Sequence, residues 1–208
     1  MLKGIIFDYD GVIAQSVKVK SDAFAELYKS YGPEIVREVI NYHQNNGGIS
    51  RFEKIKYFHK NLLDKKILDD ELFELSNRFS KLVVEKVVSA PYIPMALEYI
   101  MKAYDKYQLF ISTGTPLNEM KIILHRKKIN HYFTEVFGSP MKKNVHLRNI
   151  MKRYNFSPEE LIFYGDSTSD LDAAKETGIP FVLIKNKFNK FISKRFDGKI
   201  LNDFTKLV

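Results

Sequence analysis

Closely spaced carboxylates mark the part of this chain that could do chemistry. Asp8 and Asp10 follow one short apolar run, and Asp166 and Asp170 follow another. Four carboxylates gathered at one place repel one another strongly unless a cation lies among them. The chain has 0 Cys, and oxygen ligands without thiolates favour a hard divalent ion, of which Mg²⁺ is the obvious candidate. Since a Mg²⁺ site keeps positions for water and substrate phosphate, these residues predict phosphoryl chemistry.

Each carboxylate has an expected role. Asp8, at the end of the first apolar run, is placed to attack phosphorus and form an aspartyl-phosphate. Asp10 is placed to protonate the leaving oxygen and then to activate a water, and its backbone carbonyl is a further possible metal ligand. Asp166 is predicted to bind the metal directly, while Asp170 binds through water or orients Asp166. The predicted metal set is Asp8, Asp10, Asp166 and Asp170.

A phosphate-binding element is expected between the two acidic pairs. Thr113 offers a hydroxyl and Gly114 an exposed amide, just before a helix that opens at Pro116, and such a helix start favours an anion. One cation is also needed against the transferring phosphoryl oxygens. Lys143 precedes a predicted helix and is favoured for this role, with the adjacent Lys142 left open as the alternative.

These residues must be positioned by strands and helices, and the hydrophobic pattern predicts which. Short apolar strands alternate with amphipathic helices along most of the chain, which is typical of a parallel sheet with helices on both faces. In such a sheet the reactive crevice lies at the carboxyl ends of the strands, where the polar residues above are found. The predicted strands are Leu2–Phe7, Leu109–Ser112, Glu135–Phe137, Leu161–Tyr164 and Phe181–Ile184, and the predicted helices of this part are Met95–Tyr104, Leu117–Lys127, Asn144–Tyr154 and Asp170–Glu176.

The stretch from Ser16 to Val88 has a different pattern. Its apolar residues recur at spacings of three and four, with no alternating strand, so we predict about four helices. We therefore expect residues 1–15 and 89–208 to form an α/β, Rossmann-like core and residues 16–88 to form an inserted, all-helical cap. The turn-rich segment Asn45–Gly48 is a predicted loop within it.

The order of these motifs resembles that of the haloacid dehalogenase (HAD) superfamily over essentially the whole chain. The matching segments are FDYDGVI, FISTGT, a lysine before a helix, and YGDSTSD. The resemblance implies a Rossmann-like core with Asp8 as nucleophile and Asp10 as acid and base. It further implies that Thr113 and Lys143 contact the phosphoryl group. A helical insert directly after the first motif resembles the C1-type cap of the phosphoglycolate phosphatase and β-phosphoglucomutase branch.

Details of the motifs separate the branches of that superfamily. Halide-cleaving members lack a carboxylate two residues after the nucleophile, so Asp10 indicates a phosphate substrate. Gly48–Arg51 resembles the substrate-binding loop of the mutase branch, which makes Arg51 a candidate substrate contact beside Gly114. The cap histidine of that branch falls near Lys20, which disfavours a mutase without removing it. The phosphonate-cleaving branch uses a cap lysine, and the sequence singles out none.

Composition and charge indicate which kinds of partner this protein binds. The 208 residues carry 33 Lys+Arg against 25 Asp+Glu, a net charge of +8, and no run of apolar residues long enough for a membrane span or a secretory signal. The basic segment Lys185–Lys199 is interleaved with Phe at helical spacing, which indicates a terminal helix packed on the core rather than a base-stacking surface. We predict a cytoplasmic protein, monomeric or weakly dimeric, that binds neither nucleic acid nor membrane.

The predicted function is a Mg²⁺-dependent phosphatase that hydrolyses a small-metabolite phosphate monoester, such as a sugar or carboxylate phosphate. The alternatives are a β-phosphoglucomutase-like phosphomutase, a phosphonate hydrolase, and a non-catalytic binding module. The last predicts loss of a charged catalytic residue, and none is missing.

Overall fold

The computed structural model describes residues 1–208 and has one parallel sheet at its centre. The strand order is β3-β2-β1-β4-β5-β6, and every neighbouring pair is parallel. The strands are β1 (Gly4–Phe7), β2 (Gln108–Pro116), β3 (Glu135–Ser139), β4 (Leu161–Gly165), β5 (Phe181–Ile184) and β6 (Lys199–Leu201). The predicted α/β fold is confirmed, and the short strand β6 is an element that the sequence pattern did not indicate.

Strand β1 is buried on both faces because it lies in the middle of the sheet. Ile5 and Phe7 belong to the larger apolar cluster of the protein and Ile6 to the smaller one. This alternation follows from the two-residue period of a strand. Its apolar run lacks alternating polar residues for the same reason, since a central strand of a parallel sheet meets helices on both sides.

Helices cover both faces of the sheet. They are α5 (Ala96–Tyr104), α6 (Leu117–Arg126), α7 (Lys143–Tyr154), α8 (Thr168–Thr177) and α9 (Lys190–Ser193). Apolar residues of α5 and α6 join the larger cluster, and those of α7 and α8 join the smaller one. The predicted terminal helix is much shorter than its Phe spacing suggested: it is limited to α9, and Phe191 is exposed.

Four α-helices lie between β1 and α5, as the periodicity predicted. They are α1 (Val17–Tyr28), α2 (Pro33–Asn45), α3 (Arg51–Tyr57), which continues into a π-helical turn (Phe58–Leu62), and α4 (Asp69–Ser89). Their centre is aromatic, with the Phe24 ring 5.5 Å from that of Phe58 and 4.3 Å from that of Phe79. These rings belong to the same apolar cluster as β1, so the boundaries of a separate cap stay a prediction. None of the helices has the length and apolar character needed to cross a membrane.

The chain leaves the sheet after β1 and returns before α5 through two adjacent segments. The Gln15 amide donates to the Pro91 carbonyl at 2.9 Å, and the Ile93 amide donates to the Ile13 carbonyl at 2.9 Å. Strand β1 lies between β2 and β4, so the strand order reverses there. A ligand crevice is expected at that reversal, outside the carboxyl ends of the strands.

Candidate active site

Asp8 occupies the carboxyl end of the central strand. Its amide continues the strand pairing by donating to the Tyr164 carbonyl at 2.9 Å. One carboxylate oxygen accepts from the Tyr9 amide at 2.6 Å, and the other lies 2.8 Å from the Lys143 ammonium. Asp8 is almost fully buried, so its carboxylate is held in a fixed position at the end of the strand.

Asp8 lies in a cluster of three buried carboxylates with Asp166 and Asp170. One oxygen from each lies within 4.8 Å of the others. Lys143 also pairs with Asp170, at 2.5 Å. Burial raises the pKa of Asp8 to about 7, with Lys143 opposing and Asp170 reinforcing the rise. Burial also raises the pKa of Asp166 well above its ordinary value, with the Asp8 and Asp170 charges adding to it.

The donor set therefore fits a divalent cation. Three buried carboxylates lie beside a single ammonium, that of Lys143, which pairs with Asp8 and Asp170 only. Buried oxygen ligands with no thiolate nearby match the preference of Mg²⁺. Asp10 does not join this cluster through its carboxylate.

Local backbone structure explains how the β4–α8 loop presents its acids. Asp170 caps α8 by accepting from the Ser167 amide at 3.1 Å and the Ser167 hydroxyl at 2.5 Å. The loop passes so close to Gly165 that a Cβ there would lie 2.4 Å from the Asp170 Cβ. Gly11 has a φ of +81°, and a Cβ there would lie 2.1 Å from the Asp166 carboxylate. Glycine is thus required on both sides of the cluster.

The Asp10 carboxylate points to a second group of residues. It accepts from the Ser16 hydroxyl at 2.5 Å and forms an ion pair with Lys20. The Lys20 ammonium also donates to the Thr115 hydroxyl at 2.6 Å. Burial would raise the pKa of Asp10, but the charge and hydrogen bond of Lys20 and the hydrogen bond of Ser16 lower it below its ordinary value. Asp10 is therefore ionised in this arrangement.

The predicted phosphate-binding residues line a second side of the site. Thr113 is buried, and its hydroxyl accepts from the Thr115 amide at 3.2 Å. Together with Gly114 and Lys143 it lines a cavity of ≈ 250 Å³. Lys143 lies against the carboxylates while Lys142 is exposed, so the structure places Lys143, not Lys142, where the predicted cation should be.

Arg51, the candidate substrate contact, already has an ion-pair partner within the protein. Its guanidinium pairs with Glu119 of α6 at 2.6 Å and donates to the Ser80 hydroxyl at 2.7 Å. Both members of the ion pair are buried. Arg51 therefore ties α3 and α4 to α6, although part of it still lines the cavity in front of Asp8.

A smaller cavity of ≈ 70 Å³ lies between the acids and the inserted helices. Its lining residues include several that sequence reasoning did not single out as functional: Lys20, His43, Lys54, Phe188 and Asn189. Lys20 had one signal, namely its position where a related branch has a histidine. The buried Lys54 gave none, because nothing in a sequence distinguishes one lysine of a helical segment from another.

Two asparagines of the basic C-terminal segment support the acid cluster. Asn186 donates to the Asp166 carboxylate at 2.7 Å. Asn189 donates to the Asp166 carbonyl at 2.7 Å and to the Ile184 carbonyl at 3.0 Å. The segment thus orients an acid instead of merely packing on the core.

The fold and this site define a doubly wound α/β enzyme with a buried acidic centre that could hold a cation. The family described as haloacid dehalogenase-like hydrolase matches residues 5–184. The chain belongs to this family, which confirms the predicted resemblance.

Similar proteins agree with that assignment. The chain is 26% identical over 184 residues to a phosphorylated carbohydrates phosphatase of Thermotoga maritima, covering 86% of this chain and 82% of that protein. It is 25% identical over 218 residues to a phosphoglycolate phosphatase of Pseudomonas savastanoi pv. phaseolicola, covering 99% and 78%. The solved structure of a β-phosphoglucomutase from Clostridium difficile superposes with a TM-score of 0.79 at 18% identity, covering 100% and 94% of the chains, and shows the shared fold. These relatives confirm the predicted branch, and they support the prediction of an enzyme that hydrolyses phosphate monoesters.

Proposed function

We propose that this protein is a Mg²⁺-dependent phosphatase that hydrolyses a small phosphate monoester through an aspartyl-phosphate on Asp8. The observation that carries the proposal is the buried cluster of Asp8, Asp166 and Asp170 around the single ammonium of Lys143 at the end of the central strand. The relatives named above act on phosphorylated carbohydrates and on phosphoglycolate, which favours a soluble sugar or carboxylate phosphate as substrate.

In the first step an Asp8 oxygen forms a bond to phosphorus while the bond from phosphorus to the ester oxygen breaks. The leaving oxygen takes its proton from Asp10, which regains a proton from the attacking water in the second step, so that the protons balance over the cycle. Thr113 and Lys143 hold the phosphoryl oxygens during the transfer. Asp8, with its fixed contacts to Tyr9 and Lys143, loses little freedom on the way to this geometry.

In the second step a water attacks phosphorus, the Asp8–phosphorus bond breaks and inorganic phosphate leaves. Asp10 takes the proton of that water. Its lowered pKa suits this half of the reaction because a base must be ionised at the start. Lys20 and Ser16 hold the carboxylate in place for it.

Asp8, Asp166 and Asp170 are the residues that would hold Mg²⁺, with the Asp10 carbonyl as a further ligand. When bound, the ion supplies positive charge against the phosphoryl oxygens and against the carboxylates themselves. The four inserted helices are proposed to act as a cap over the crevice that excludes bulk water and selects the leaving group.

Turnover of 4-nitrophenyl phosphate with and without Mg²⁺ tests the proposal. We expect turnover that depends on Mg²⁺ and is absent in Asp8→Asn. A metabolite-phosphate panel scored for released phosphate then identifies the ester, and β-glucose 1-phosphate with its bisphosphate detects isomerisation. Purified protein that hydrolyses no ester in the presence of Mg²⁺ would contradict the proposal and favour a binding module.

A further inference from the structure

Lys54 stands out among the buried cations of the protein. Three Lys or Arg residues are buried, namely Arg51, Lys54 and Lys143. Arg51 pairs with Glu119, and Lys143 pairs with Asp8 and Asp170. Lys54 forms no ion pair with any carboxylate. A buried ammonium without a counter-ion is costly, so Lys54 is the buried cation that would gain most from an anionic ligand in the cavity.

The surroundings of Lys54 leave one donor free. Its ammonium lies 2.8 Å from the His43 Nδ1 and donates to the His43 carbonyl at 3.4 Å. Burial and the Lys54 charge hold the pKa of His43 well below its ordinary value, so this imidazole is neutral and accepts. A lysine ammonium has three N–H groups. With two used on His43, the third remains for the cavity that Lys54 lines.

That cavity is also where the leaving group of the substrate must lie. Asp8 and Asp10 line it together with Lys20 and Lys54. Because Asp10 marks the leaving oxygen, the rest of the leaving group extends from there toward the inserted helices. The cavity is small, with a volume of ≈ 70 Å³, which favours a compact leaving group.

We propose that Lys54 is the specificity-determining residue for the leaving group and that it binds a carboxylate carried close to the ester carbon. The inference rests on the proposed phosphatase function and names the substrate class of the same site. A carboxylate accepts the free N–H of Lys54 and neutralises the buried ammonium. The phenylalanine rings of the cavity, such as Phe24 and Phe79, exclude water from this contact and so strengthen it.

The electrostatics of the free protein support this assignment. Burial, reinforced by the Lys20 charge and opposed by the Asp10 charge, lowers the pKa of Lys54 to about 7. An anion bound beside Lys54 would offset both effects and keep the ammonium charged. The site is therefore poised to gain affinity for a negative leaving group.

The test compares two phosphate esters of similar size. One carries a carboxylate on the ester carbon, and the other carries a neutral hydroxymethyl group there. We expect the wild-type protein with Mg²⁺ to show a kcat/KM for 2-phosphoglycolate at least tenfold above that for 2-hydroxyethyl phosphate. Lys54→Met, which keeps the length of the side chain and removes its charge, should lower this ratio at least tenfold. Lys56→Met is the matched control, because Lys56 is exposed on the same helix, and it should keep the wild-type ratio.

A second measurement does not depend on folding of the Lys54 variant. In Asp8→Asn protein, 2-phosphoglycolate should slow reductive methylation of Lys54, read by peptide mass, and 2-hydroxyethyl phosphate should not. Equal turnover of both esters by the wild type, an unchanged ratio in Lys54→Met, or no protection of Lys54 would overturn the inference. Absence of turnover with every ester, 4-nitrophenyl phosphate included, would instead count against the proposed phosphatase function.

Discussion

The two walls of the crevice bury charge in opposite ways. On the sheet side, three carboxylates gather around one ammonium and are fixed by backbone amides, a helix cap and the strand ends. On the side of the inserted helices the buried groups are cations, and one of them, Lys54, has only a neutral imidazole and a carbonyl as partners.

Under the proposed function, the sheet side of the crevice would carry out the phosphoryl transfer and the helical side would select the substrate. A phosphoryl group carries the same charge in every ester, so the wall that handles it can be built from fixed strand ends. The leaving group differs between substrates, and under the proposed function it would be met by side chains on the helices inserted between β1 and α5. Five measurements test this contrast between the two walls.

Removing the nucleophile should remove catalysis. Asp8→Asn keeps the size of the side chain but cannot form the aspartyl-phosphate, and we expect kcat for 4-nitrophenyl phosphate to fall by about 10⁴-fold or more. Asp172→Asn is the control, because Asp172 lies two residues beyond Asp170 on α8 and outside the carboxylate cluster. An Asp8→Asn protein with more than a tenth of the wild-type rate would exclude Asp8 as the nucleophile.

Removing the metal should have nearly as large an effect. We expect EDTA to abolish turnover and added Mg²⁺ to restore it, since the three buried carboxylates otherwise have only the Lys143 ammonium as counter-charge. Mg²⁺ should also raise the melting temperature of the wild type, because it binds the folded state only. Asp166→Asn should reduce this rise, whereas a melting temperature indifferent to Mg²⁺ would argue against the site.

Lys20 tests whether the helical wall also takes part in the reaction. Lys20→Met frees the Asp10 carboxylate from its ion pair, and we expect kcat to fall by about 10²-fold with a smaller change in KM. The control is Lys18→Met, since Lys18 is exposed on the same helix and pairs with Asp22. Lys20→Arg should recover part of the loss, and equal rates for all three variants would remove Lys20 from the site.

The buried ion pair between α3 and α6 tests how the two walls are held together. Glu119→Gln leaves the Arg51 guanidinium buried without a counter-ion, which should lower the free energy of unfolding by about 3 to 5 kcal/mol in urea titrations. Glu85→Gln is the matched control, because the Glu85–Arg126 pair also joins α4 to α6 but is exposed. We expect little change there, and equal losses in both variants would contradict this contrast.

The smallest effect that we expect is the pH dependence of stability caused by His146. It is fully buried, with Nδ1 3.0 Å from the Ser112 hydroxyl, and burial, followed by the Lys143 charge, lowers its pKa to about 4. Because the folded state holds His146 in its neutral form, the contribution of His146 to the free energy of unfolding is fully present above about pH 6.5. This contribution is lost as the pH falls toward 4. Between pH 7.5 and pH 5 the loss should be about 2 kcal/mol. His146→Asn should show a correspondingly flatter pH dependence in urea titrations, and a parallel one would contradict the assignment.

Local patterns allowed most of the fold to be predicted. The strands with continuous apolar runs and the helices with three- and four-residue spacing were predicted close to their observed bounds, because burial on both faces or on one face leaves a direct trace in the sequence. Strand β6 was missed since Lys199–Leu201 is too short to show a period. The prediction that the basic C-terminal segment forms a helix packed on the core was wrong in part. Phe188 and Phe191 line the crevice, and Phe191 is also exposed to solvent.

The family and the kind of reaction followed from the sequence because acids at strand ends depend only on their neighbours in the chain. Asp8 after β1 and Asp166 after β4 must come together once the strands are parallel. Which oxygens share a cation, whether Lys142 or Lys143 meets them, and the partner of Arg51 depended on contacts between distant segments. The unpaired state of Lys54 is of the same kind: burial and the absence of a carboxylate are properties of packing, and only the tertiary structure could decide them.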